Sequence, residues 1–192
     1  MSNIFNNPLV VHARRLAEDA HTGQKRKYDG EDYIVHPQRV AQMVADHGGT
    51  PTMVAVALLH DTIEDTWVTY EYLVEEFTPE LADMVWELSD QYTHEAFPDN
   101  NRAERKAMEA QRLGQISVDA QTIKYCDLID NTRDIVKQDI GFAKTYLKEK
   151  RRILALMDAG NIVLYEKAIQ HLRDGEIVVA DAPWNEARKK LI

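Results

Sequence analysis

The stretch from Pro51 to Leu59 constrains the fold most, because as a helix it is apolar on nearly every side. Pro51 suits the first turn of a helix, and the residues after it read TMVAVALL. A helix that is hydrophobic all round is buried, so other helices must surround it. The sequence therefore predicts a central helix packed among amphipathic ones.

Helical periodicity continues along almost the whole chain, and it is interrupted at proline, glycine and polar clusters. We predict helices over 8–21, 37–46, 51–59, 70–77, 79–92, 101–115, 118–137, 142–158 and 161–173. Residues 22–35 and 93–100 are predicted loops, and DGEIVVADAP is a predicted irregular tail segment whose EIVV alone resembles a strand. The predicted fold class is all-α, with about eight to ten helices in one compact domain over 1–192 and a tail at 175–192.

Charge and cysteine content exclude several classes of function. The net charge of −9 argues against broad binding to nucleic acid or to an anionic membrane, since both need a basic surface. No run approaches the ~20 apolar residues of a membrane span, and the N-terminus does not resemble a signal peptide. Cys126 is the only cysteine and fits a reducing compartment. We therefore expect a cytoplasmic protein that binds neither membrane nor nucleic acid.

The segment ALLHDTIEDT places an imidazole and three carboxylates directly after the central helix. On a continuous helix, His60 lies beneath Glu64 and Asp61 beneath Asp65. Like charges one turn apart are unfavourable, and partial burial raises that cost. A bound divalent cation reverses the sign, because it favours ionised carboxylates. The cluster therefore indicates a metal site.

Two neighbouring ligands do not complete a metal site, so others must come from elsewhere in the chain. His36 precedes the proline that starts a helix, and Asp127 lies in the helical stretch IKYCDLIDN. Two imidazoles and two carboxylates suit Mn²⁺, Fe²⁺, Zn²⁺ or a similar ion. The other histidines are assigned structural or surface roles, and Asp130 and Asp134 are interpreted as solvated or helix-pairing residues.

At these residues the chain resembles the HD-domain superfamily of metal-dependent phosphohydrolases, and more narrowly the hydrolase domain of RelA/SpoT proteins in its free-standing small alarmone hydrolase form. The matching motifs are HTGQKRKYDGEDYIVHPQRVA, ALLHDTIEDT and IKYCDLIDNTRDI. The resemblance covers roughly residues 8–170. Two departures lie beside the expected pocket, where Leu128 replaces a usual basic residue and Asp130 replaces a frequent histidine.

The resemblance implies a role for each matching position. The ligands of one divalent ion, usually Mn²⁺ in this family, are His36, His60, Asp61 and Asp127. The acidic pair that acts on the water and the leaving group is Glu64 and Asp65. The substrate-binding residues are Arg26 near the nucleotide base, its neighbour Lys27, and Asn131.

The function implied by the resemblance is hydrolysis of the 3′-pyrophosphate of (p)ppGpp, giving GDP or GTP and pyrophosphate. Basic residues fit a polyphosphate substrate, since the chain is acidic overall yet carries QKRK next to His36. Further candidates are Lys124 and the Arg102, Arg105 and Lys106 of NRAERK, although this last segment is equally well a solvated helical face.

Two alternatives stay open at this point. The same metal site could act on a related nucleotide, such as (pp)pApp or the 2′-phosphate of NADPH. The chain could also be a non-catalytic nucleotide-binding module, although such a module has no need of the Glu64 and Asp65 pair. Aromatic residues such as Trp86 and Trp184 are candidates for the interface of a homo-oligomer.

Overall fold

A computed structural model describes residues 4–27 and 30–189 of the chain, the side chains of 183–189 excepted. A short 3-10 helix over Ile4–Asn6 precedes ten α-helices in these residues. The α-helices are α1 Pro8–Ala20, α2 Val35–Asp46, α3 Pro51–Leu59, α4 Thr62–Asp65, α5 Tyr70–Glu76, α6 Pro79–Leu88, α7 Arg102–Leu113, α8 Val118–Gln138, α9 Ile140–Leu154 and α10 Ile162–Lys189. The same residues contain no strand, only an isolated bridge between Lys25 and Asp32, so the all-α prediction is confirmed.

Helix α3 lies at the centre, as its composition predicts. Thr50 caps it by accepting a hydrogen bond from the amide of Met53 at 3.2 Å, and Pro51 occupies the first turn. Every residue from Met53 to Leu59 is buried. Helices α1, α2, α6 and α8 pack around it, so its C-terminal end opens into the interior of the bundle.

Helix α8 is the second long element of the core. Ser117 caps it, and it runs for 21 residues along α2, α3, α6, α9 and α10. Because residues four apart share a helix face, Asp127 and Asn131 point to the same side of α8. That side faces α2 and the end of α3, which brings three separate stretches of sequence together.

The end of α3 at Leu59 is as predicted, but no continuous helix joins the HD pair to the acidic pair, as the placement of His60 beneath Glu64 assumed. Helix α3 ends at Leu59 and the four-residue α4 begins at Thr62. The side chains of His60 and Thr62 hydrogen-bond to the carbonyl oxygens of Ala57 and Leu59, respectively. In a continuous helix, backbone amides of the next turn would bond to these carbonyls instead. The break leaves His60 pointing into the core while α4 carries the acidic pair at the surface of the cleft.

The C-terminal segment also differs from its prediction as an irregular, strand-like tail. Helix α10 continues through DGEIVVADAP to Lys189. Leu164, Ala168 and Leu172 are buried at helical spacing, and this register continues through Gly175 to Val179, which packs against the core. A Cβ at Gly175 would lie 2.9 Å from Val136, so the glycine allows α10 to pack closely.

Two other helix ends fall earlier than predicted. Helix α6 ends at Leu88 instead of 92, because Ser89 is extended and Arg112 donates to the carbonyls of Glu87 and Ser89 at 2.8 and 2.9 Å. Helix α9 covers Ile140–Leu154, with Asp139 as its cap, where 142–158 was predicted.

Candidate metal centre and active-site cleft

Three buried residues from different helices meet at one point. His36 comes from α2, His60 follows α3, and Asp127 lies in α8. One ligand atom from each lies within 4.8 Å of the other two. The Nε2 atoms of both histidines are buried and have no hydrogen-bond partner among the described residues. Because buried polar atoms are almost always satisfied, this pair of nitrogens indicates a missing partner.

Asp61, the fourth expected ligand, lies against both imidazoles. Its Oδ2 is 3.5 Å from Nε2 of His36, and its Oδ1 is 3.2 Å from Nε2 of His60. Asp127 completes the group, with Oδ1 3.3 Å from Nε2 of His36. The four residues that the sequence proposed as ligands are therefore brought together by the fold.

Each imidazole is oriented through its other nitrogen. Nδ1 of His36 lies 2.7 Å from Oδ2 of Asp130, and Nδ1 of His60 lies 2.9 Å from the carbonyl oxygen of Ala57. An acceptor at Nδ1 fixes the proton there and leaves the lone pair on Nε2 for the centre. Asp130 is therefore a buried residue that pairs α8 with α2 through His36, so of its two predicted roles the helix-pairing one agrees with the structure and the solvated one is wrong.

The electrostatics of the group also fit a cation. Burial alone would lower the pKa of His36, yet the nearby carboxylates of Asp127 and Asp130 raise that pKa to about 10. Burial alone would raise the pKa of Asp127, but Lys124 and the two imidazoles hold it well below its usual range. The site thus attracts positive charge, and a divalent ion can take the place of the protons.

A cleft of about 190 Å³ opens beside these residues and contains both members of the acidic pair. Glu64 accepts a hydrogen bond from the amide of Asp90 at 2.6 Å through Oε1. Although Glu64 is reached by solvent from the cleft, removal of most of its hydration raises the pKa of its carboxyl to about 7, with a smaller contribution from Asp61. Glu64 can therefore exchange a proton near neutral pH.

Asp65 is linked to the centre by a tyrosine that the sequence did not mark for this role. The hydroxyl of Tyr33 lies 2.7 Å from Oδ2 of Asp61 and 3.0 Å from Oδ2 of Asp65. Desolvation and the charge of Asp61 raise the pKa of Asp65 above its usual range. The Tyr33 hydroxyl thus connects an expected metal ligand with an expected catalytic carboxylate.

Three lysines line the same cleft. Nζ of Lys124 is 2.9 Å from Oδ2 of Asp127, and Lys106 pairs with Asp90. Lys150, which the sequence did not single out, has its ammonium 5.0 Å from the centre of the Tyr146 ring, and burial lowers its pKa to about 8. Its only sequence signal is a place in the charged run KEKRR, which is equally typical of a solvated face.

The other two cations of NRAERK do not line the cleft. Arg102 pairs with Glu149 at 3.0 Å on the surface, and Arg105 donates to the carbonyl of Asn100. Only Lys106 of that segment is placed to meet a ligand in the cleft.

The expected substrate residues lie around a second, smaller cavity. This cavity, of about 140 Å³, is lined by Arg26, Lys27, Tyr33, His36, Asn131, Asp134 and Ile135. Arg26 forms an ion pair with Asp134 and lies 3.7 Å from Oδ2 of Asp130. Asn131 donates to Oδ1 of Asp127 and lines both cavities, so it stands between them.

Comparison with known proteins finds a protein family whose model matches most of the chain. The family model described as "HD domain" matches residues 13–159. The chain is 33% identical over 156 residues to a probable chloroplastic GTP diphosphokinase of Oryza sativa subsp. japonica, a match that covers 78% of the chain and 22% of the plant protein. The chain thus spans about a fifth of the length of the first curated relatives it matches.

A relative of similar size matches over more of its own length. The guanosine-3′,5′-bis(diphosphate) 3′-pyrophosphohydrolase of Xenopus tropicalis is 36% identical over 131 residues, which cover 66% of the chain and 69% of that protein. A solved structure described as a metazoan ortholog of SpoT that hydrolyses ppGpp superimposes with a TM-score of 0.77 at 22% identity. That match covers 87% of this chain and 95% of the other, so the folds correspond.

Of the two tryptophans named as interface candidates, Trp86 is exposed, and the side chain of Trp184 lies outside the described residues. In the part of the chain that the structure describes, no helix combines the length and the apolar character needed to span a bilayer.

Proposed function

The chain belongs to the HD-domain family, and from this membership we propose that it hydrolyses the 3′-pyrophosphate of (p)ppGpp, releasing pyrophosphate and GDP or GTP. The observation that carries the proposal is one cleft that contains an acidic pair, three lysines and the carboxylates of Asp61 and Asp127. Behind these two carboxylates lie the buried imidazole Nε2 atoms of His36 and His60. A phosphate ester needs each of these, because the reaction requires an activated water, a proton donor and cations for the phosphates.

His36, His60, Asp61 and Asp127 would hold one divalent ion, for which we propose Mn²⁺. When bound, such an ion lowers the pKa of a coordinated water and polarises a phosphoryl oxygen. The chain keeps the imidazoles ready for this through Asp130 and the Ala57 carbonyl, which hold the protons on Nδ1.

We assign different tasks to the two carboxylates of α4. Glu64, whose pKa is raised to about 7, carries the proton that the departing 3′ oxygen needs. Asp65 is held by the Tyr33 hydroxyl next to Asp61 and orients the attacking water. This division follows from the two environments, because Glu64 accepts from the amide of Asp90 while Asp65 is tied through Tyr33 to the metal-ligand side.

The lysines bind the phosphates, and the residues around the second cavity contact the nucleoside. Lys106, Lys124 and Lys150 converge on the cleft from α7, α8 and α9. Arg26 and Asn131 line the smaller cavity next to it, where a planar guanidinium can stack on a base. An adenine alarmone or the 2′-phosphate of NADPH would meet the same lysines, so base choice depends on this smaller cavity.

A direct assay tests the proposal. The purified chain is incubated with ppGpp and Mn²⁺, with and without a chelator, and GDP and pyrophosphate are measured beside parallel reactions with ppApp and NADPH. We expect ppGpp turnover that the chelator abolishes. No pyrophosphate release from ppGpp would reject the proposed substrate, whatever happens with the other two nucleotides.

Glu64→Gln and Asp65→Asn separate an enzyme from a nucleotide-binding module. We expect each variant to retain the metal and to lose turnover by roughly 10²-fold or more, as for other lost acid–base groups. Full activity in both variants would refute the assigned mechanism.

We further propose a cytoplasmic location. The single cysteine, Cys126, is buried and reduced, which fits a reducing compartment.

A further inference from the structure

A concavity larger than the active-site cleft is lined by other residues. It is a groove of about 710 Å³ between the α4–α5 connection and α6. We call it the aromatic groove and define it by Trp67, Tyr70, Glu71, Asp83 and Trp86. Among the described residues it shares no lining residue with the cleft, so the proposed reaction does not account for it.

The aromatic side chains of the groove are exposed and set at steep angles to one another. Trp67 is 53% exposed and Trp86 is 45% exposed, which is unusual for residues that can bury so much apolar surface. The rings of Tyr70 and Trp86 have centroids 6.2 Å apart and an interplanar angle of 70°. Trp67 is held edge-to-face against Tyr72 at 5.1 Å. Two aromatic walls of the groove are therefore built and open to solvent.

The charged residues of the groove have one sign. Asp83 and Glu71 are both exposed, and none of the nine residues that the structure places in the lining is basic. The hydroxyl of Tyr70 donates to Oδ1 of Asp83 at 2.6 Å, which fixes the carboxylate beside the ring. Aromatic faces and carboxylates attract the same kind of ligand, because both present negative potential to a cation.

We propose that the aromatic groove binds a small organic cation, of the alkylammonium or quaternary ammonium class. The ring faces of Tyr70 and Trp86 contact the carbons around the nitrogen, and Asp83 supplies the counter-charge. An organic cation suits the site better than a strongly hydrated metal ion, because such an ion takes about six or more oxygen ligands, whereas five of the nine lining residues are aromatic or aliphatic. The volume suits a small molecule, because such pockets usually measure about 300–1,000 Å³.

The chain offers its own fluorescent reporter for this proposal. It has three tryptophans, and two of them, Trp67 and Trp86, line the groove. In a Trp184→Phe background, tryptophan emission comes from the groove alone. This variant is titrated at constant ionic strength with choline, with spermidine, and with 3,3-dimethylbutan-1-ol, which has the shape of choline but a carbon in place of its nitrogen.

We expect a saturable change of emission with choline or spermidine and none with the neutral alcohol. Asp83→Asn and Trp86→Ala should each weaken the binding roughly three- to tenfold, and binding is measured for Trp86→Ala through the remaining tryptophan. Glu80→Gln is the matched control, because Glu80 is exposed on the same helix but lies outside the groove. This control should bind like the parent.

Three results would overturn the proposal. The first is no saturable change with either cation, and the second is equal binding of choline and the neutral alcohol, which would show a merely apolar surface. The third is a homodimer, measured by sedimentation, that dissociates in Trp86→Ala, because a second copy would then occupy the groove. Turnover of ppGpp in the absence of choline and spermidine is measured alongside and should be unchanged in Asp83→Asn. This result separates the present proposal from the proposed function.

Discussion

Asp130→Asn is the substitution that best isolates how the fold prepares His36 for a metal ion. The carboxylate accepts from Nδ1 of His36 at 2.7 Å, and the two side chains are only 3% and 1% exposed. Asparagine keeps the size of the side chain and still offers an oxygen acceptor. The substitution therefore removes the charge of the acceptor and leaves its position.

The expected loss can be worked from these contacts. Hydrogen bonds to charged groups contribute about 1.5–3 kcal/mol and neutral ones about 1 kcal/mol, so the difference is about 0.5–2 kcal/mol. Arg26 lies 3.7 Å from the same oxygen and already offsets part of its charge, so the loss should stay below the upper end of this range. A loss of about 1.4 kcal/mol is tenfold in affinity, at the lower end of the 10–100-fold typical for partners of metal-ligating histidines.

The assay is a calorimetric titration of the metal-free protein with Mn²⁺, together with thermal unfolding to show that the variants fold. Asp134→Asn is the matched control, because it removes the same charge and also pairs with Arg26, while His36 bonds to Asp130 instead. We expect Asp134→Asn to bind Mn²⁺ like the parent. Equal affinity in Asp130→Asn and the parent, or an equal loss in both variants, would refute the reasoning.

Three other predictions follow from single features. Lys150 is charged below its pKa of about 8, so kcat/KM for ppGpp should fall as the pH rises through 8. Lys150→Arg should retain activity in this pH range, and the same fall in this variant would exclude Lys150 as the cause. Gly160→Ala should lower the free energy of unfolding by about 1–3 kcal/mol, because its Cβ would lie 2.6 Å from Tyr125, whereas Gly141→Ala, with its nearest atom at 3.7 Å, should not show this loss in denaturant titrations. Mn²⁺ at 100 times its Kd should stabilise the chain by about 2.7 kcal/mol in the same titrations, and an equal gain in Asp127→Asn would place the ion elsewhere.

The helices were predictable where local signals define them. Pro51, Thr50 and the apolar run after them determine α3 without reference to the rest of the chain, and the cap at Asn101 does the same for α7. The placement of His60 relative to Glu64 was not predictable, because it depends on side-chain hydrogen bonds from His60 and Thr62 that compete with a continuous helix through the acidic pair.

For the site, the residues that carry chemistry could be predicted from their types, but the residues that contact them could not. The HD pair, His36 and Asp127 stand out as chemistry, and the fold brings them together. Asp130 looks like any acidic residue on an α8 face, and its contact with His36 joins positions 94 residues apart. Contacts of that separation are set by how α2 packs on α8, which no local pattern encodes.

The Lys124–Asp127 and Lys106–Asp90 pairs explain how an acidic protein with a net charge of −9 could bind the proposed polyphosphate substrate in its cleft. Burial alone would lower the pKa of Lys124 and discharge it, but Asp127 and Glu64 raise that pKa above its usual value. The carboxylates of Asp127 and Glu64, which would repel phosphates at long range, therefore keep Lys124 protonated at contact distance. At a few ångströms a charged lysine attracts a phosphate more strongly than a carboxylate behind it repels, since the interaction falls with distance. The sign of the ligand's charge is consequently better predicted from the lysine–carboxylate pairs inside the cleft than from the net charge of the chain.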